Sequence, residues 1–144
     1  MAKSGVQPAT EPHGLHPAFA KKGVLVAVMA ILVLTVLEFP PPLGFETRPQ
    51  GDVSSWWLLF FLVILVTELA TMPLIFKRPG LGSRLALVAA VLNMVQVVAD
   101  QAHLLQPEVA PLGYSVLEGL VVAASLALAY FAWQVLKSAR MPAA

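Results

Sequence analysis

Asn93, Gln96, Asp100 and His103 stand at helical spacing inside an otherwise apolar stretch of the chain. At about 100° per residue the four share an arc of roughly 80° on one helix face, and Gln101 falls outside it. Polar and ionisable groups are costly in hydrocarbon, so this stripe is expected to face a partner helix, a cavity or a ligand and not lipid.

Three further carboxylates lie in the other apolar stretches: Glu38, Glu68 and Glu118. Counting about 1.5 Å per residue from the middle of each stretch puts Glu38, Asp100 and Glu118 roughly 10 Å to one side of the centre. His103 comes one turn further out, and Glu68 falls near the middle, level with Asn93 and Gln96. Within these stretches Lys and Arg occur only at the ends. A lone carboxylate anion is unfavourable at such depth. The groups must therefore take up a proton, share one, pair with a cationic His103, hold a cation or reach water.

Those options define the chemistry. Asp100-x-x-His103 sets a carboxylate and an imidazole one turn apart, and Glu118 and Glu38 could complete a mononuclear metal site; two-metal bundles need a second such element. Glu68, Gln96, Asp100 and His103 could also form a proton or cation pathway running outward, or recognise a quinone-like molecule or a lipid head group. A purely structural account makes Asn93 and Gln96 interhelical hydrogen-bonding groups, pairs Asp100 with His103 and leaves Glu38 and Glu118 hydrated near the interface. Cysteine is absent, which removes thiolate ligands, disulfides and thiol nucleophiles. One histidine within the apolar stretches excludes a haem held by two imidazoles from this chain. No phosphate-binding loop, zincin, serine-hydrolase or nucleic-acid motif occurs, so no required cofactor and no nucleic-acid partner follow from the sequence.

The elements that position these residues follow from hydropathy. The chain has 144 residues, of which 58 % are hydrophobic and 12 % charged, with a mean hydropathy of +0.80. Soluble domains carry about 25 % charged residues. Four apolar spans, about 22–39, 55–76, 84–105 and 114–136, each approach the ~20 residues needed to cross a hydrocarbon core. Helix breakers fill the connections, including Pro40-Pro41-Pro42 and Lys77-Arg78-Pro79-Gly80-Leu81-Gly82-Ser83. The expectation is an all-α integral membrane bundle over residues 21–138. A flexible tail over 1–20, containing a solvated His13 and His16, and a short tail over 139–144 flank it. The first span lacks a small-residue cleavage site and reads as a retained signal anchor.

Charge sets the expected orientation. Lys3, Lys21, Lys22, Lys77, Arg78, Arg84, Lys137 and Arg140 flank one side of the membrane, and Arg48 lies on the other. By the positive-inside rule both termini are cytoplasmic, in a bacterial-type inner membrane. Trp56, Trp57 and Tyr114 then mark the outer interface, and Phe76, Phe131 and Trp133 the inner one. Within the spans, Gly119, Ala123 and Ala127 give the small-residue spacing of a close helix contact, within the bundle or with another subunit. Thr67 and Thr71 could bond Glu68 or their own backbone, and Pro73 should kink the second span or end it a turn early.

Leu34-Thr35-Val36-Leu37-Glu38-Phe39, followed by a loop and a second apolar span, resembles the small helical subunits of bacterial respiratory oxidases. The likeness covers about a quarter of the chain. It implies an accessory subunit of a respiratory membrane complex and transfers no site residues. From the residues themselves two functions follow: a non-catalytic subunit joined to other membrane proteins or to copies of itself, or a small membrane enzyme or proton- or cation-coupled carrier. Both use the cluster of Glu68, Asn93, Gln96, Asp100, His103, Glu118 and Glu38.

Overall fold

A computed structural model describes residues 15–38, 55–102, 104 and 112–140. It contains four helices: α1 (Pro17–Glu38), α2 (Ser55–Lys77), α3 (Pro79–Gln101) and α4 (Leu112–Arg140). All four are long and apolar enough to cross a membrane. No strand occurs among the described residues.

The packing is that of a bundle built for lipid. At most 33 % of the apolar window of any helix is buried inside the bundle. Large apolar side chains such as Val26, Val33, Leu58, Leu62, Val66, Val98 and Leu126 point outward. Small residues fill the interior, among them Ala20, Ala27, Ala86, Ala89, Ala90, Ser83 and Ala132. Helices in a bilayer gain no hydrophobic driving force from meeting each other, so close backbone approach over small residues and polar contacts must hold them. Around Val24, Val28, Ile31, Ile75 and Leu128 this approach forms one continuous core.

α1 packs along α4, α4 along α3 and α3 along α2, whereas α1 and α2 share much less contact. Neighbours run antiparallel. Phe19 near the start of α1 meets the Phe131 ring edge-on at 6.3 Å near the end of α4. Gly23 makes room for that ring, since a Cβ there would stand 2.5 Å from Phe131 Cδ1.

Several boundaries differ from the sequence reading. α1 starts at Pro17, where the fixed φ of proline suits a first helical position, so residues 17–20 belong to the helix and not to a tail. The backbone carbonyl of His16 accepts hydrogen bonds from the N–H groups of Phe19 and Ala20, and its Nδ1 accepts one from Ala18. Residues 1–14, with His13, lie outside the described residues, as do the 40–54 connection and 141–144.

The expected loop over 77–83 shrinks to one residue, Arg78. Pro79 opens α3, and Gly82 lies so close to α2 that a Cβ would be 2.5 Å from the Ile75 nitrogen and 2.7 Å from its Cα. The helix breakers thus make a tight hairpin corner. α2 continues through Pro73 to Lys77 and does not end early. The small-residue stripe of α4 makes no contact inside this chain at Gly119 and Ala123, which are exposed, and no atom of another element would lie within 4 Å of a Cβ on Gly119.

Candidate functional site

Polar residues gather at two levels of the bundle. At mid-height, Glu68 of α2 is 2 % exposed and accepts a 2.7 Å hydrogen bond at Oε1 from Nδ2 of Asn93 in α3. The same amide nitrogen donates to the Ala89 carbonyl at 3.0 Å, which fixes the Asn93 rotamer against its own helix. Thr67 and Thr71 do not serve Glu68; their hydroxyls donate to the carbonyls of Val63 and Thr67. Ser125 of α4 is fully buried, and its hydroxyl has no hydrogen-bond partner among the described residues.

The second level lies about 10 Å along α3, seven residues from Asn93. Here three helices converge. Asp100 and Glu118 are buried, and Glu38 at the end of α1 lies within electrostatic reach of both. One Glu38 oxygen, Oε1, is buried without a hydrogen-bond partner among the described residues. Gln101 binds this level together, since its Nε2 donates to Glu118 Oε2 and, at 3.3 Å, to Ser115 Oγ.

The depth argument thus gathers Glu38, Asp100 and Glu118 at one end and Glu68 with Asn93 at the middle. Gln96 is only half-buried and makes no hydrogen bond to Glu68 or Asn93. It sits on the flank of the arc where α3 turns towards lipid. His103 lies outside the described residues, so its relation to Asp100 is not part of this geometry.

Gln101 is the residue the stripe missed. Its backbone position is exposed, but its three-carbon reach carries the amide around the helix to α4. The available signal is depth: Gln101 stands beside Asp100, at the level of Glu118.

Among the described residues no group of three or more His, Asp or Glu is placed to hold a metal ion. Buried carboxyl groups placed this way can take up or share a proton. Searches of known protein families, curated proteins and solved structures found no match to this chain.

Proposed function

We propose that this chain is a non-enzymatic subunit of a larger assembly in a bacterial-type inner membrane, to which it contributes buried carboxyl groups for proton exchange. The observation that carries the reading is the convergence of Glu38, Asp100 and Glu118 from three helices, with Glu68 held by Asn93 about 10 Å deeper. Chains of carboxyl groups at staggered depth are what intramembrane proton relays use. The four helices leave little material for a substrate pocket, and the likeness of the α1 segment to respiratory-oxidase subunits favours a respiratory partner. Both termini are cytoplasmic in this reading, which puts the three-carboxylate level in the outer half of the membrane.

The test is purification from native membranes in mild detergent, followed by assay of the recovered assembly with Asp100→Asn, Glu118→Gln and Glu68→Gln variants. A stoichiometric larger partner, with proton-linked turnover reduced tenfold or more and assembly intact, is expected. Recovery of the chain alone, or full turnover in all three variants, overturns the reading.

A second reading is a small proton- or cation-coupled carrier or membrane enzyme. It draws on the sparse packing between α1 and α2, the helices that carry Glu38 and Glu68. A stable homo-oligomer that retains a cation or a lipid-soluble substrate such as a quinone would favour it.

A further inference from the structure

The charges of the described residues divide between the two halves of the bundle. Lys21, Lys22, Lys77, Arg78, Arg84 and Lys137 stand at the starts of α1 and α3 and the ends of α2 and α4. Glu38, Glu68, Asp100 and Glu118 occupy the middle and the opposite end. Glu68, the described carboxylate nearest along the chain to this basic set, is nine residues and so about 14 Å from Lys77. All the basic side chains except Lys21 are exposed, and Lys21 is half-buried.

Their placement is compact. Because Arg78 alone joins α2 to α3, Lys77, Arg78 and Arg84 are confined to one corner of the bundle. The α3–α4 contact of Gln101 with Ser115 and Glu118, continued in antiparallel register, brings Lys137 level with that corner and Arg84 level with Trp133. At this end Phe19, Phe76, Tyr130 and Trp133 expose their rings on the outer surface of the bundle, among and beside these basic residues. Aromatic rings of this kind lie at the head-group level of a bilayer. The basic side chains share that level and can reach lipid phosphates, with the Lys and Arg stems running along the apolar surface.

We propose that this end of the bundle is a binding surface for anionic lipid head groups, centred on Lys77, Arg78 and Arg84 at the α2–α3 corner. The argument needs neither the proton-exchange reading nor the orientation of the chain. It rests on charge complementarity: a cationic end without a protein counter-charge among the described residues, at the depth where phosphates lie. Clusters of four to eight Lys or Arg next to a membrane span bind acidic lipid.

The experiment uses the full chain purified in mild detergent, where orientation plays no part, and loaded with equal amounts of phosphatidylglycerol and phosphatidylcholine. Lipid retained after gel filtration is measured by native mass spectrometry. The wild-type chain is expected to retain phosphatidylglycerol about tenfold over phosphatidylcholine, with the preference falling as salt rises. Lys77→Gln/Arg78→Gln/Arg84→Gln should lower that preference to near parity while circular dichroism and elution volume stay unchanged. The matching Lys→Arg and Arg→Lys changes should keep it. Equal retention of the two lipids by the wild-type chain overturns the proposal, as does an undiminished preference in the neutralised variant. Displacement of phosphatidylglycerol by equimolar inorganic phosphate assigns the surface to a soluble anion and overturns it too.

Discussion

Asn93 Nδ2 stands 2.7 Å from Glu68 Oε1, and this bond ties α3 to α2 in the buried middle of the bundle. Its energetic weight is modest by membrane standards. Interhelical hydrogen bonds in bilayers average about 0.6 kcal/mol, because the separated helices find other partners.

A double-mutant cycle with Glu68→Leu and Asn93→Leu should therefore give a coupling of about 0.6–1.7 kcal/mol, read from unfolding in mixed micelles. Glu68→Gln keeps an acceptor oxygen for the Asn93 amide and should be less destabilising than Glu68→Leu. A Glu68→Gln variant as unstable as Glu68→Leu would mean that the carboxyl group bonds more than Asn93.

The Gly82 corner should be far less forgiving. A methyl group there meets the backbone of Ile75 and Leu74, which cannot move as a side-chain tip can. Gly82→Ala is expected to destabilise the bundle by about 3 kcal/mol, at the upper end of overpacking penalties. Gly119→Ala meets nothing within 4 Å, and the helix propensity of alanine makes it neutral or mildly stabilising. Paired thermal unfolding curves in detergent check both, and equal shifts would refute the close approach of α2 and α3.

The bundle and its membrane character were legible because hydropathy, length and polar depth all report on one axis. The same counting placed Glu38 with Asp100 and Glu118, and Glu68 with Asn93. Rotation about a helix axis was harder to read. Gln96 sits within the arc of Asn93 yet lies at its edge, and Gln101 sits outside the arc yet crosses to Glu118. A face defined by backbone angle alone ignores how far a glutamine reaches. Breakers misled at the hairpin, where Pro79 and Gly82 serve a one-residue turn and a close helix crossing in place of a loop. The small residues of α4 gave spacing without direction: Ala132 and Ser125 face inward, Gly119 and Ala123 outward.

Ser125 offers a cleaner test of the interior. Its hydroxyl is fully buried and unpartnered among the described residues, so it carries a desolvation cost without a compensating bond. Ser125→Ala removes that cost at nearly constant volume and is expected to stabilise the bundle by about 1 kcal/mol. A loss of stability in thermal unfolding would show that the hydroxyl bonds a group beyond the described residues, or water.

Gln101 and Glu118 set the final prediction, which separates a structural amide from a replaceable surface residue. Glu118 is buried, and Gln101 Nε2 donates to its Oε2. Truncation in Gln101→Ala takes that donor from a buried acceptor, and a lost donor of this kind costs about 1–3 kcal/mol. Gln101→Glu should cost more, because it sets another carboxylate beside Glu118, with Asp100 and Glu38 already within one electrostatic neighbourhood. The penalty of Gln101→Glu over Gln101→Ala should shrink in acid, where the added carboxyl is protonated, and grow in base. Unfolding measured across pH for both variants decides it. A Gln101→Glu penalty that equals that of Gln101→Ala at every pH would mean that the α3 terminus and the start of α4 do not share one low-dielectric site.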